Sequence, residues 1–163
     1  MLDQKETKRL SALLKKIDKP HEGLPQPVFD ALSRLVPFIA CELVIKTEEG
    51  ILLVWREDEW WKGWHFPGGL LRYRESLEER LEKVAQKELG VGIAKPDFLF
   101  VKDCCQCVRG PIVSLVFLCQ TKTKPKSGKF FKKMPKDIIK DHRDLWKKAK
   151  KIKSRKFNKK NGK

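Results

Sequence analysis

Residues 65–93, HFPGGLLRYRESLEERLEKVAQKELGVGI, decide the fold, because a glycine turn leads directly into a helix with clear ends. The run Pro67-Gly68-Gly69 predicts a tight turn after a short strand. We predict a helix from Ser76 to Leu89 that stops at Gly90, since glycine tolerates the left-handed conformation found at helix C-termini. The apolar side chains of this helix recur with helical periodicity: Leu77, Leu81, Val84, Ala85 and Leu89.

On both sides of this stretch the chain predicts a mixture of helices and strands. The turn Glu48-Glu49-Gly50 lies between two apolar, β-branched runs and predicts a hairpin. Arg109-Gly110-Pro111 joins a second pair of strands. This order predicts an α+β fold in which helices pack on a mixed sheet. The predicted helices are 3–18 and 28–36, and the predicted strands are 38–47, 51–56, 97–108 and 112–122.

The positive charge of the chain is concentrated at one end. Residues 121–163 contain 17 Lys, 2 Arg and 3 Asp, which gives the net charge of +16 that the whole chain carries. Residues 1–120 are therefore balanced in charge. A basic end of this kind predicts nonspecific, salt-sensitive contact with polyanions. We expect residues 153–163, KSRKFNKKNGK, to be disordered.

The sequence also indicates in which cellular compartment the protein is expected. No apolar run is long enough to span a bilayer, and the N-terminal residues lack the apolar core of a signal peptide, so we expect a cytoplasmic protein without a membrane span. We interpret the cluster Cys104, Cys105 and Cys107 as lacking both the C-x-x-C spacing and the partner pair of a structural zinc site. We expect these residues to be reduced thiols in a half-buried strand.

Five positions of the opening stretch stand at the spacing of a Nudix box, which this stretch resembles: Gly69, Glu75, Glu88, Gly90 and Val91. The family pattern is G-x5-E-x7-R-E-U-x-E-E-x-G-U, where U is a bulky aliphatic residue, and the five positions stay in register over 23 residues. The resemblance implies a Nudix-type α/β/α sandwich with a mixed sheet and a loop–helix–loop box. It also implies three segments: an N-terminal helix and linker (1–26), a Nudix domain (27–123) and a partly disordered basic segment (124–163).

Three positions depart from the family pattern. Lys83 stands where the family has Arg, and it can still pair with Glu75 as a point charge. Val84 and Lys87 replace acidic residues that hold metal or act as a base in the family. A site with two or three metal ions is therefore not expected. At about 100° per residue the other acids of the helix do not project beside Glu88, and we expect them on a solvated face: Glu75, Glu78, Glu79 and Glu82.

These departures are similar to those of the GDP-mannose mannosyl hydrolases, a Nudix branch that works with one Mg²⁺ and substitutes at the sugar C1 carbon. The resemblance implies a Mg²⁺-dependent hydrolase that releases sugar and nucleoside diphosphate from a nucleotide-sugar. It implies the Gly68 carbonyl, Glu88 and Asp141 as metal ligands. It implies Gly68, Gly69 and Arg56 as substrate-binding residues. It implies Arg56, Glu42 and His142 as catalytic residues, with Arg56 assisting the leaving diphosphate and His142 acting as the base.

Several alternatives stay open at the level of sequence. Arg56 could pair with Glu57 or Asp58, and His142 could lie on an ordinary helix surface. The enzyme could instead be a Nudix pyrophosphohydrolase that attacks phosphorus in a nucleoside diphosphate derivative. A catalytically silent Nudix module that binds nucleotide or RNA is the alternative from another class. The resembling branch also implies a homodimer, to which residues 3–18 could contribute.

Overall fold

The computed structural model describes residues 1–153, which form two small sheets and four α-helices. The helices are α1 (Gln4–Leu14), α2 (Gln26–Ser33), α3 (Leu77–Leu89) and α4 (Arg143–Lys151), and a short 3-10 helix (Lys140–His142) precedes α4. The strands are β1 (Phe38–Val44), β2 (Lys46–Thr47), β3 (Gly50–Glu57), β4 (Lys62–His65), β5 (Gly68–Leu70), β6 (Ile93–Cys104), β7 (Ile112–Thr121) and β8 (Lys129–Phe131).

The first sheet has the strand order β5-β1-β7-β6, and it is mixed as predicted. Strand β1 pairs parallel with β7, whereas β5 and β6 each run antiparallel to their neighbour. The second sheet has the order β2-β3-β4, with β8 also paired to β3. Edge strand β5, which contains Gly68, was not predicted as a strand, because three residues around a glycine pair give no β-branched pattern.

The predicted hairpin between 38–47 and 51–56 is wrong in its first half. Within residues 38–47, only the two-residue strand β2 pairs with β3, in the register Lys46 opposite Ile51. Strand β1 joins β7 in the other sheet instead, with Glu42 opposite Val116. The run 38–47 conceals this change of sheet, because its apolar side chains continue from β1 through Ile45 to the start of β2.

Strand β3 divides the core into two halves by the alternation of its side chains. Leu52 and Val54 belong to a cluster with residues of α3, and Ile51 and Leu53 belong to a cluster with residues of α4. Helices α3 and α4 therefore cover opposite faces of the strands, which is the α/β/α arrangement expected from the sequence.

The described part of the basic C-terminal segment belongs to this core. Leu145 and Trp146 of α4 are only 1% and 4% exposed, and Ile138 before the helix is 4% exposed. The Lys46 ammonium donates to the carbonyls of Ala149, Lys150 and Ile152 at the end of α4. The segment boundary at residue 123 stays a prediction, but core side chains continue past it. The expected disorder from 153 onward lies, except for Lys153, outside the described residues.

Two findings concern the molecular surface. Helix α1 begins with a capping box formed by Asp3 and Glu6, but none of its side chains is buried. Within residues 1–153, no helix has the length and the apolar character that a bilayer crossing requires.

Candidate active site

One cavity of about 1130 Å³ brings together every site residue predicted from the sequence. Its walls come from β1, β3, β5, α3 and the 3-10 helix. The predicted residues that line it are Glu42, Arg56, Gly68, Gly69, Glu88, Asp141 and His142. Residues separated by up to a hundred positions in the chain thus meet in one place.

At the floor of the cavity, Glu42 lies directly over Gly68 in the β1–β5 pair. A Cβ atom at position 68 would stand 2.7 Å from Glu42 Cδ, so a larger residue there would displace the Glu42 carboxylate from its observed position. The Leu43 amide donates to the Pro67 carbonyl at 2.8 Å, so these two residues stand at a hydrogen-bonded position of the antiparallel ladder. Glu42 and Gly68 stand one position along and form a non-hydrogen-bonded pair. The N–H and C=O of Gly68 therefore point away from β1, and the N–H donates to Glu88.

Glu42 and Glu88 form a pair of interacting buried carboxylates. Glu42 Oε2 and Glu88 Oε2 are buried and have no hydrogen-bond partner among the described residues. Burial raises the pKa of Glu42 to about 8, and the negative charge of Glu88 adds to this effect. Burial also raises the pKa of Glu88 to about 7, against the opposing effect of the Gly68 hydrogen bond. The pair therefore favours any positive charge that enters between them.

Helix α3 has both of its ends fixed, and this fixes the position of Glu88. Ser76 accepts a hydrogen bond from the Glu79 amide, and the Glu79 side chain accepts one from the Ser76 amide, as a capping box. Gly90 ends the helix in the left-handed conformation with φ of 65°. Both ends agree with the sequence prediction, since Ser76 is the cap and Gly90 is the stop.

The first glutamate of the box, Glu75, is structural. Its side chain is 3% exposed and lies 2.9 Å from the Lys83 ammonium and 2.6 Å from the Arg80 guanidinium. The predicted Lys83–Glu75 pair is confirmed, and the expectation of a solvated face is wrong for Glu75. Arg80 donates through Nε and an Nη nitrogen to Oε2 of Glu75, and Lys83 donates to Oε1, so the two residues share the carboxylate. Val84, which replaces a family acid, is 3% exposed and packs in the core.

The wall that carries Asp141 and His142 is anchored to β4. The Trp64 amide donates to the Asp137 carbonyl at 2.9 Å, and the Ile139 amide donates to the Trp64 carbonyl at 2.9 Å. Gly63 has φ of 150°, and a Cβ there would overlap the Asp137 carbonyl. This close approach of two backbones had no signal in the sequence.

Two histidines in this wall have opposite hydrogen-bonding patterns. His142 Nδ1 accepts from the Phe66 amide at 3.1 Å, so the neutral ring carries its proton on Nε2. His65 Nδ1 donates to the Phe66 carbonyl at 2.6 Å, so its Nε2 keeps a free lone pair. Burial lowers the pKa of His142 to about 3 and that of His65 to about 4, and both rings are neutral at pH 7. Sequence analysis assigned no role to His65, which also lines the cavity.

Arginine side chains stack on aromatic rings at another part of the wall. Arg56 Nε donates to Asp58 at 2.6 Å, which is one of the alternatives left open by the sequence, and its guanidinium lies 4.5 Å from the Trp61 ring centroid. Arg109 lies 4.7 Å from the ring of Phe29 and 5.5 Å from that of Trp61. Arg109 was missed, because a loop arginine after a cysteine cluster gives no sequence signal.

Basic side chains outnumber acidic ones in the cavity wall, although Glu75 pairs with Arg80 and Lys83, and Asp58 pairs with Arg56. Three acidic side chains line the cavity, Glu42, Glu88 and Asp141, against seven basic ones. Such an excess attracts a polyanionic ligand such as a diphosphate. The basic residues are Arg56, Arg72, Arg80, Lys83, Lys87, Lys102 and Arg109.

The expectation of reduced thiols in the cysteine cluster is wrong for two of the three residues. Cys104 and Cys107 form a disulfide, and Cys105 is a free, exposed thiol. The interpretation that the cluster lacks the C-x-x-C spacing is also wrong, because two residues separate Cys104 from Cys107. The chain turns at this point, because β6 ends at Cys104. The disulfide lines the same cavity as the predicted site.

Comparison with known proteins identifies the arrangement. A family model described as the NUDIX domain matches residues 38–160. The chain is 40% identical over 77 residues to the low-salt glycan biosynthesis protein Agl8 of Haloferax volcanii, a match that covers 47% of this chain and 49% of that protein. The chain thus spans about half the length of this relative.

Solved structures share the fold. The MutT NUDIX hydrolase of Burkholderia pseudomallei superposes with a TM-score of 0.58 at 20% identity, over 70% of this chain and 95% of that one. The NUDIX domain of Shewanella oneidensis NrtR, solved with ADP ribose, gives a TM-score of 0.55 at 18% identity, over 77% and 97% of the two chains. These structures confirm the Nudix-type sandwich, and the family model confirms the predicted family.

Proposed function

Since this chain belongs to the NUDIX domain family, we propose that it is a Mg²⁺-dependent hydrolase of a nucleotide-sugar. In this proposal it resembles the GDP-mannose mannosyl hydrolases, and water attacks the sugar C1 carbon. The observation that carries the proposal is the pair of buried, unpartnered carboxylate oxygens of Glu42 and Glu88 inside a basic cavity. The glycan-related name of the Haloferax relative supports a sugar-containing substrate.

The residues around Gly68 fit a hard divalent cation. Mg²⁺ prefers oxygen ligands, and Glu42 and Glu88 each offer a buried oxygen without a hydrogen-bond partner among the described residues. The Gly68 carbonyl points away from β1, on the side where the Gly68 amide meets Glu88. We propose these three groups as ligands, with Asp141 acting on the water molecules that Mg²⁺ retains. When bound, Mg²⁺ would neutralise the charge of a leaving diphosphate.

Arg56 and its neighbours would hold the diphosphate. Arg56 lines the cavity and is close enough to Glu42 and Glu88 to influence the pKa of both carboxyls. Lys102 adds a second positive charge near Glu42. Guanidinium groups bind phosphate oxygens through paired hydrogen bonds, so Arg56 is suited to stabilise negative charge that develops on the leaving group.

The histidine hydrogen bonds support a role for His142 that differs from the one implied by the resemblance. With Nδ1 engaged by Phe66, its Nε2–H is a donor to substrate oxygen, and it can take a proton only if the ring leaves this hydrogen bond. His65 has a free acceptor nitrogen in the same wall. We therefore propose His142 as a hydrogen-bond donor to substrate and His65 as the candidate group to orient or deprotonate the attacking water.

Hydrolysis in water enriched in ¹⁸O tests the proposed site of attack. A panel of nucleotide-sugars with Mg²⁺ is followed by mass spectrometry of both products. We expect the label in the released sugar. Label in the phosphate product would overturn attack at carbon and establish the pyrophosphohydrolase alternative. No Mg²⁺-dependent hydrolysis, together with salt-sensitive polyanion binding, would establish the silent module.

The Glu88→Gln variant tests the metal site. The amide keeps the shape of the side chain but removes the charge that would bind Mg²⁺, so we expect turnover and calorimetric Mg²⁺ binding to be lost together. Glu78→Gln is the matched control, because Glu78 lies on the exposed face of the same helix. Unchanged Mg²⁺ affinity in Glu88→Gln would remove Glu88 from the ligand set.

A further inference from the structure

The disulfide of the cavity wall lies beside a carboxylate that arrives from a distant part of the chain. Cys104 is the last residue of β6, Cys107 lies in the loop that follows, and Asp141 belongs to the 3-10 helix. One ligand atom from each of the three, two sulfurs and an oxygen, lies within 4.8 Å of the other two. All three side chains are half-buried, and all three line the cavity.

We propose that Cys104, Cys107 and Asp141 form a binding site for a thiophilic divalent cation of the zinc class when the disulfide is reduced. The inference does not rest on the proposed hydrolase activity. Zinc sites commonly use two cysteines separated by two residues, completed by residues from elsewhere in the chain. Here Asp141 supplies the third ligand, and the cavity leaves a fourth position open to water or an anion.

The charge around this site favours its occupation. Two thiolates and a carboxylate carry three negative charges, and a divalent cation leaves one negative charge uncompensated. Lys102 precedes Cys104 by two residues, Arg109 follows Cys107 by two residues, and both line the same cavity. Lys102 and Arg109 would therefore offset the remaining negative charge of the occupied site.

The chemistry balances in two steps. A dithiol reductant passes two electrons to the Cys104–Cys107 bond, gives its two protons to the sulfurs, and is itself oxidised to a cyclic disulfide. The cation then displaces the two thiol protons and binds both thiolates and the Asp141 carboxylate. The two states exclude each other, since a disulfide sulfur has no charge to offer the metal.

Cobalt titration of the full chain tests this site, because Co²⁺ bound to thiolate gives a charge-transfer absorption band that oxygen ligands do not give. The protein is reduced with a phosphine, which adds no competing thiol, and titrated without oxygen. We expect one Co²⁺ with a thiolate band in the reduced protein and no band in the oxidised protein. Glu88→Gln should keep the band, which separates this site from the proposed Mg²⁺ site.

Three variants define the ligands. Cys107→Ser should lose the band, and Cys105→Ser is the matched control that should keep it, because Cys105 is exposed and its thiol contacts Asp103 instead. Asp141→Asn should keep the band but weaken Co²⁺ binding at least about tenfold, or about 1.4 kcal/mol. Circular dichroism on each reduced variant establishes that it is folded.

Other outcomes would overturn the proposal. The absence of a band in reduced wild-type protein excludes a thiolate site, and this result needs no variant. A band that survives Cys107→Ser shows that other sulfurs bind the ion. An Asp141→Asn titration that superposes on the wild type removes the carboxylate and with it the proposed three-residue site.

Discussion

Burial makes the negative charge of the Glu42 carboxylate unfavourable in the metal-free protein. Its folded pKa is raised from 4.5 to about 8, so the protonated form is the one that folding favours. The stability linked to this group is complete below the unfolded value of 4.5 and is lost as pH rises through about 8. A bound cation would reverse this preference, because the ion replaces the proton.

The Glu42→Gln variant measures this effect. In the presence of a chelator, we expect the melting temperature of the wild type to fall between pH 5 and pH 9 relative to that of Glu42→Gln, which has no proton to lose. Glu78→Gln, on the exposed face of α3, should follow the wild type. Parallel curves for wild type and Glu42→Gln would show that the Glu42 carboxyl is not held neutral.

Both carboxylates also make Mg²⁺ binding dependent on pH. Because the pKa values of Glu42 and Glu88 lie at about 8 and about 7, protons compete with the ion near neutrality. We expect the apparent Mg²⁺ affinity to rise from pH 6 to pH 9, as measured by calorimetry with buffers of different ionisation enthalpy. Binding without proton release at pH 7 would contradict the raised pKa values.

At the scale of the elements, α4 couples the C-terminal segment to the core. Leu145 is 1% exposed and packs in the cluster that covers one face of β3. Leu145→Ala should lower the free energy of unfolding by about 2–5 kcal/mol, from lost burial and the cavity it leaves. Urea unfolding measures the change, with Lys147→Ala on the exposed face as a control expected within about 0.5 kcal/mol. Equal stabilities of the two variants would mean that α4 is dispensable.

Sequence predicted those elements whose limits are set locally. Helix α3 was predicted in place because its cap Ser76, its stop Gly90 and its apolar stripe lie within one short stretch. The change of sheet between β1 and β2 could not be predicted, because it depends on the distant partner β7. The same holds for the approach of Asp137 to Gly63, which is a contact between residues far apart in sequence.

For the candidate site too, local patterns could be predicted from the sequence and long-range contacts could not. The positions of Glu88, Gly68 and Gly69 came from the spacing of the box, and those of Glu42, Arg56, Asp141 and His142 from family resemblance; all seven line the cavity. Hydrogen bonds to Phe66 decide which nitrogen of each histidine is protonated, and no sequence pattern carries that information. The C-x-x-C spacing was present in the sequence, but its place in the cavity wall required the fold.

At the scale of the whole molecule, the concentration of positive charge predicts a salt effect. Residues 154–163 contribute Arg155, Lys156, Lys159, Lys160 and Lys163 to the net charge of +16. We expect a chain that ends at Lys153 to bind a single-stranded polyanion with a weaker salt dependence. The slope of log K against log salt concentration should be smaller by up to about 3.5, because each of the five lost contacts contributes about 0.7. Filter binding at several salt concentrations measures the slope. Hydrolysis of the nucleotide-sugar panel at neutral pH should be unchanged. Identical slopes would assign polyanion contact to residues 1–153.

The backbone bridge between Trp64 and the segment before His142 has a consequence for biosynthesis. The chain leaves the ribosome with its N-terminal end first, so β1, β3 and α3 emerge well before residues 137–142 do. Until that late segment docks against β4, the nascent chain has its carboxylates but lacks the wall with Asp141 and His142. A chain that stops before residue 137 would therefore have the carboxylates of Glu42 and Glu88 without this wall of the cavity.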